Sequence, residues 1–214
     1  MTEAITARQI HTALLALCDT IEKEKAYLSE LDGAIGDGDH GVNMSKCFRG
    51  VKTKLTSAPA DFVGDVLNLV GMEVMNSVGG AMGALYGTLF LKLATKSETK
   101  PQVTLTDLAD MFQEALNGVL TIGKAKVGDK TLVDTLQPAV AALCQAAQGG
   151  DSLENGLNAF EAAAREGMAS TRNLLAKMGR ASRLAERTIG HQDAGATSCY
   201  FIIRAFAGSG NTTV

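Results

Sequence analysis

Residues 7–28 read Ala7-Arg-Gln-Ile10-His-Thr-Ala-Leu14-Leu-Ala-Leu17-Cys18-Asp-Thr-Ile21-Glu-Lys-Glu-Lys-Ala-Tyr-Leu28. Ile10, Leu14, Leu17, Cys18 and Ile21 recur at intervals of three and four. That spacing stacks them on one face of a 3.6-residue helix and fits no alternating strand. The same period continues along the chain. A second helix follows Gly41, with Met44, Phe48, Val51 and Leu55 in phase, and a third runs from about Asp61 through Val63, Val66, Leu67, Val70 and Val74. Residues 84–94 are apolar on nearly every side, which predicts a deeply buried fourth helix. A fifth is expected from Thr106, read as its N-cap ahead of Asp107, with Leu108, Met111, Phe112 and Ala115 inside. The sixth spans Leu132–Ala147 and contains Pro138, tolerable only near a first turn and otherwise a kink. The seventh runs from Leu153 to about Lys177, and the eighth is Ser198–Ala207. Tyr200–Ile203 is the best strand candidate, but its continuous apolar sequence suits a buried helix equally well.

The fold expected is therefore all-α: eight antiparallel helices joined by short glycine-bearing loops, in a single domain over residues 1–214. Composition agrees. The chain has 214 residues, 46% hydrophobic and 20% charged, enough for a substantial core. Aromatics are 5%, with no Trp and three Pro, which argues against a β-sandwich or a base-stacking platform. A net charge of −3 gives no basic field for nucleic acid. No apolar run approaches the roughly 18 residues of a membrane span. No secretory leader is expected either, because Arg8 and His11 directly precede the first apolar run, Leu14–Cys18. The chain reads as cytoplasmic. Cys18, Cys47, Cys144 and Cys199 are far apart and form no Cys-x-x-Cys pair, so they read as structural thiols; with only His11, His40 and His191 beside them, zinc is set aside.

The most informative polar stretch is Asp32-Gly-Ala-Ile-Gly-Asp37-Gly-Asp39-His40-Gly-Val-Asn43, with no Lys or Arg from Ala26 through Ser45. Carboxylates confined to one turn repel unless a cation lies between them. The glycines allow the backbone to fold back so that the three aspartates converge. Hard oxygen ligands select Mg²⁺, Ca²⁺ or Mn²⁺. A calcium EF-hand loop is excluded: counted from Asp37, Val42 stands where Gly is required and Phe48 where Glu is. Few protein ligands suit magnesium shared with phosphates, and the helix that follows offers free N–H groups to them. A solvated acidic turn fits the same residues.

Of three further stretches, two keep two readings each. Ser77-Val-Gly79-Gly80-Ala-Met82-Gly83, continuing to Gly87, can set bare backbone against a nucleotide or allow close helix crossing. Gly118–Lys124 approaches a Walker A loop, but Ala125 replaces the Ser or Thr and no strand precedes it, so a P-loop is rejected. Gly128-Asp129, ahead of the sixth helix, then reads as a turn and cap. Residues 177–195 form a long polar connection carrying Arg180, Arg183 and Arg187, suited to a phosphate-binding lid or to a salt-bridged surface excursion.

Together these stretches resemble the DhaL-type ADP-binding subunit of dihydroxyacetone kinases. Asp-Gly-Ala-Ile-Gly-Asp-Gly-Asp-His-Gly-Val-Asn-Met (32–44), Ser-Val-Gly-Gly-Ala (77–81), Gly-Lys-Ala (123–125) with Gly-Asp-Lys-Thr (128–131), and Gly-Arg-Ala-Ser (179–182) with Glu-Arg-Thr-Ile-Gly-His-Gln-Asp (186–193) are similar to that family's signatures, in order and over essentially the whole chain. The resemblance implies an eight-helix antiparallel barrel closed by a lid, at about residues 177–195, with ADP (or ATP) and two Mg²⁺ at one end. It implies that Asp32, Asp37 and Asp39 hold the metals. His40, Gly41, Val42, Asn43, Ala81, Met82, Gly123, Leu132, Arg180, Asp193, Ala194 and Gly195 would line the nucleotide. Arg180 is the expected catalytic group. It further implies a DhaM-type phosphoryl donor fed from phosphoenolpyruvate and a DhaK-type partner holding dihydroxyacetone; a homodimer is left open. An ATP-dependent kinase subunit for dihydroxyacetone or another small ketose, and a non-catalytic ADP-loaded regulatory module, are the alternatives. The chain departs from the family at Met82 (commonly Ser), Ala194 (commonly Pro) and Arg183 (commonly Tyr).

Overall fold

In a computed structural model, which describes residues 3–210, nine α-helices carry nearly all of the regular structure. They are α1 (Ala7–Lys23), α2 (Lys25–Ile35), α3 (His40–Ser57), α4 (Val63–Ser77), α5 (Gly80–Thr95), α6 (Leu105–Gly123), α7 (Val133–Gly149), α8 (Leu153–Ser170) and α9 (Ala194–Ser209). From α3 onward each helix packs on its chain neighbour, and α9 closes on α1, which also meets α3. Counting α1 and α2 as one bent helix gives eight, an even number. Short connections then make neighbours antiparallel, and the last helix can close against the first.

The helical stripes end up inside as their spacing requires. Ile10, Leu14, Leu17, Cys18 and Ile21 on α1 are buried, as are Met44, Phe48, Val51 and Leu55 on α3. Tyr200–Ile203 is helical and buried within α9, which settles the strand ambiguity. Phe112 lies edge-on to Phe160 at 4.7 Å and to Phe206 at 5.0 Å, the edge-to-face geometry that aromatic quadrupoles favour. Cys18, Cys47 and Cys199 are buried, all four cysteines are free thiols, and burial pushes Cys18 and Cys47 up to about 12. They are inert packing groups. Among the described residues no helix is long and apolar enough to cross a membrane.

Several boundaries differ from the sequence reading. The first helix breaks at Glu24 (φ −88°, ψ 6°), and α2 runs on to Ile35 as a separate helix. Lys23, Glu24 and Lys25 are all good helix formers, so propensity cannot mark this break. The bend lays α2 against α3 and α9. The N-cap of α6 is Thr104, not Thr106: its hydroxyl accepts from Asp107 N, and the Asp107 carboxylate accepts from Thr104 N, a reciprocal capping box. Helix α5 starts at Gly80, four residues before the apolar run. Helix α8 stops at Ser170 and passes through a 3-10 turn, Thr171–Asn173, instead of continuing to Lys177.

Two unexpected strands, β1 (Ala4–Thr6) and β2 (Gln102–Thr104), pair antiparallel with Ile5 opposite Val103, both fully buried. Three residues are too few to show a period of two. Pro138 does lie inside α7. Its missing N–H leaves the Asp134 carbonyl without its helical partner, and α8 approaches there so closely that a Cβ on Gly167 would sit 2.2 Å from that oxygen.

Candidate functional site

Antiparallel order places the starts of α3, α5, α7 and α9 at the same end of the ring. The first residue of each, His40, Gly80, Val133 and Ala194, lines one cavity of about 610 Å³. Four helix N-termini thus bring their positive dipole ends to a common space, a field that favours an anion. The volume suits a small-molecule ligand. Apolar side chains, among them Ile35, Val78, Leu85, Val119 and Ile122, form one wall.

The acidic turn between α2 and α3 also lines the cavity. One carboxylate oxygen from each of Asp32, Asp37 and Asp39 lies within 4.8 Å of the other two. Two glycines permit this. A Cβ on Gly36 would fall 2.4 Å from Asp32 Oδ1, and Gly38 takes φ +76°, which L side chains resist. Asp32 accepts from His40 N at 3.2 Å, fixing the turn to the start of α3. Arg180 forms an ion pair with Asp37 and lies 3.8 Å from Asp39. Three hard oxygen donors with one arginine between them remain net negative, the chemistry that suits a small divalent cation keeping part of its water shell.

Behind the turn runs a buried polar chain. His40 Nε2 is 2.8 Å from Ser198 Oγ, Ser198 is 2.6 Å from the Tyr86 hydroxyl, and Tyr86 donates to Gly195 O at 2.9 Å. It ties the starts of α3 and α9 to α5. Burial lowers His40 to about 4 against the opposing charge of Asp32, so the imidazole is neutral near pH 7. Asp193, the N-cap of α9, accepts from Ala196 N at 2.7 Å, and burial raises its carboxyl to about 6.

Of the residues expected to contact a nucleotide, His40, Asn43, Ala81, Met82, Gly123, Leu132, Arg180, Asp193, Ala194 and Gly195 line the cavity, together with Asp32, Asp37 and Asp39. Gly41 and Val42 do not. Gly41 faces α2, where a Cβ would come within 2.0 Å of Lys25 O, and the Val42 side chain is exposed.

The sequence reading assigned no role to Lys130, which also lines the cavity. Its Nζ donates to the carbonyls of Thr171 (2.6 Å), Leu174 (3.2 Å), Thr188 (2.8 Å) and His191 (2.5 Å). Asp134 shapes the turn beneath it by accepting from Gly128 N and Thr131 N at 2.6 and 2.7 Å. Gly128-Asp129 was visible as a turn; the partners of Lys130 beside it were not.

Fold and site together define an all-helical ring that presents a cavity for an anion, with an acidic turn at its mouth. The chain belongs to the DAK2 domain family, whose model matches residues 34–208. It is 39% identical over 95% of its length, and over 97% of the relative's, to the PEP-dependent dihydroxyacetone kinase, ADP-binding subunit DhaL, of Escherichia coli (strain K12). To the ADP-binding subunit DhaL of PEP-dependent dihydroxyacetone kinase 2 of Listeria innocua it is 41% identical, over 86% of this chain and 85% of that one. Among solved structures, the dihydroxyacetone kinase of C. freundii in complex with AMP-PNP and Mg²⁺ superposes with a TM-score of 0.70 at 23% identity. That match covers 94% of this chain but only 33% of the kinase chain, and it establishes the shared fold.

Proposed function

We propose that this chain is the ADP- and magnesium-binding phosphoryl-transfer subunit of a dihydroxyacetone kinase. In this reading it passes a phosphoryl group from bound nucleotide to dihydroxyacetone held on a DhaK-type partner, and its ADP is rephosphorylated in place by a DhaM-type donor in the cytoplasm. The observation that carries the reading is the convergence of four helix N-termini and three carboxylates on one cavity. The full-length similarity to chains named as ADP-binding subunits supports it.

Asp32, Asp37 and Asp39 would hold two Mg²⁺. Bound magnesium supplies positive charge that neutralises the phosphate oxygens and keeps them in line. The rest of the work falls to the chain. Gly80, Ala81 and the first turns of α3 and α9 present backbone N–H groups to the phosphates. Leu132, Met82 and the apolar wall hold the base out of water. Gly41 and Val42 contribute the start of α3 rather than a wall of the pocket. Arg180, whose fork matches paired phosphate oxygens, leaves its carboxylate partners and stabilises charge on the group in transfer. Burial keeps His40 neutral and the phenol–serine–imidazole chain fixes its ring, so it orients the phosphate end without taking a proton.

The test is reconstitution. The chain is loaded with labelled ADP and supplied with a phosphoenolpyruvate-fed DhaM-type donor and a DhaK-type subunit charged with dihydroxyacetone. Dihydroxyacetone phosphate should form while the label stays on the chain. Rapid exchange of the label during turnover would make the nucleotide a substrate of an ATP-dependent kinase, and nucleotide binding without transfer would leave a regulatory module.

A further inference from the structure

Four backbone carbonyls converge on Lys130 from both ends of one long connection. Thr171 and Leu174 lie at its start, and Thr188 and His191 at its end. Between them the chain goes out to Arg180 and returns through a 3-10 stretch, Ala181–Thr188. Neutral bonds also close the base of this excursion: Ala176 N donates to Thr188 Oγ1 at 3.0 Å, Gly190 N to Arg172 O at 2.7 Å, and Lys177 N to Asp129 O at 3.1 Å. Charge enters at two points, the half-exposed Lys177–Asp129 ion pair at 3.5 Å and the buried Lys130 ammonium, which meets four carbonyls from both ends of the connection; charge-assisted bonds are roughly twice as strong as neutral ones.

Lys130 is buried and adopts φ +62°; Ala185, within the excursion, adopts φ +48°. Non-glycine residues persist in such conformations only where the surroundings over-determine them. Three protons serve four oxygens at 2.5–3.2 Å, so the ammonium occupies its cage as a small monovalent cation would. Without it, oxygen dipoles would face one another in a buried space.

We propose that Lys130 is the positioning residue of this segment: its ammonium acts as a built-in cation that closes the base of the 174–191 excursion and thereby sets Arg180 over the acidic turn. What Arg180 then does rests on the proposed function; the clamp itself does not.

Trypsin tests the clamp directly, because Lys177, Arg180, Arg183 and Arg187 all lie in the excursion. Lys130→Met keeps volume and removes charge. Lys130→Gly relieves the positive φ and leaves room for a free cation. Cleavage at these four sites should rise at least about tenfold in both variants, tracking the population of the opened segment. Ammonium chloride should restore protection to Lys130→Gly but not to Lys130→Met, whose side chain fills the cage; tetramethylammonium chloride at the same ionic strength should restore neither. In the transfer reaction, kcat should fall more than nucleotide affinity, and ammonium should recover it in the glycine variant alone.

Wild-type protection in Lys130→Met, or no ammonium effect on Lys130→Gly, would overturn the proposal. If Lys130→Gly is recovered only unfolded, refolding with ammonium against tetramethylammonium decides: selective recovery supports the clamp and equal yields refute it. A wild-type chain that binds no nucleotide would remove the functional reading and leave the proteolysis contrast standing.

Discussion

The two sides of the cavity mouth are built in opposite ways. The acidic side is local: Asp32, Asp37 and Asp39 share one short turn, and their convergence needs only Gly36, Gly38 and the start of α3. The arginine side is assembled at long range. Lys130 reaches carbonyls 41 to 61 residues further along the chain, joining both ends of the segment that carries Arg180. A local site tolerates changes elsewhere but not within its turn. A long-range site can fail through one buried residue far from it in sequence.

Four experiments sharpen this contrast, beginning with the largest effect. Arg180→Ala should lower single-turnover phosphoryl transfer by roughly a thousandfold, in the range of other arginines that stabilise phosphoryl transfer. Equilibrium nucleotide binding should weaken far less, and equal losses in the two measurements would contradict a transition-state role.

Asp37→Ala removes one of three clustered oxygens. Loss of a mere outer-shell partner typically costs 10–100-fold in metal affinity, so a direct ligand should cost roughly a hundredfold or more. Magnesium-dependent retention of ADP, measured by equilibrium dialysis, should collapse accordingly; a variant that copurifies with stoichiometric ADP removes Asp37 from the metal site.

The third experiment uses pH. Burial raises Asp193 from 3.8 to about 6, so between those values the native chain keeps a proton that the unfolded chain has released. Stability of the metal-free protein should therefore be greatest on this account below the lower value and fall as pH rises through the upper one, by at most about 3 kcal/mol. Asp193→Asn retains a capping side chain for α9 and should flatten this part of the profile in denaturant titrations. An unchanged slope would assign the dependence to another group.

The smallest effect is expected from Gly41→Ala. Its Cβ would meet Lys25 O at 2.0 Å, forcing α2 and α3 apart at a cost of about 2 kcal/mol. Thermal unfolding should shift by that amount, and magnesium affinity should fall as the carboxylates spread. A shift in stability with full metal affinity would show that the acidic turn does not depend on helix spacing.

What the sequence made legible follows the same division. Periodic stripes such as Ile10–Ile21 on α1 and Val63–Val74 on α4 encode burial locally, so the helices and the all-α fold could be read directly. The acidic turn was equally plain, because its ligands are close neighbours in sequence. The bend at Glu24 left no mark among good helix formers, and the pairing of Ile5 with Val103 spans only three residues of each strand. At Thr104 the cap was displaced by two residues because Thr106 offers the same hydroxyl, and only the reciprocal bond to Asp107 separates them. Lys130 was hidden for a deeper reason. A lysine beside Gly128 and Asp129 looks like any solvated turn residue, and its burial exists only once α8 has ended early and the returning segment has covered it.

Both sides of the mouth are expected to hold a magnesium-bound nucleotide. The most direct measurement is to purify the chain without added nucleotide, denature it, and quantify what is released. The expected result is about one ADP per chain accompanied by magnesium, retained through gel filtration because the bound form is favoured by mass action. A chain that emerges empty and binds no nucleotide when magnesium is supplied would contradict it.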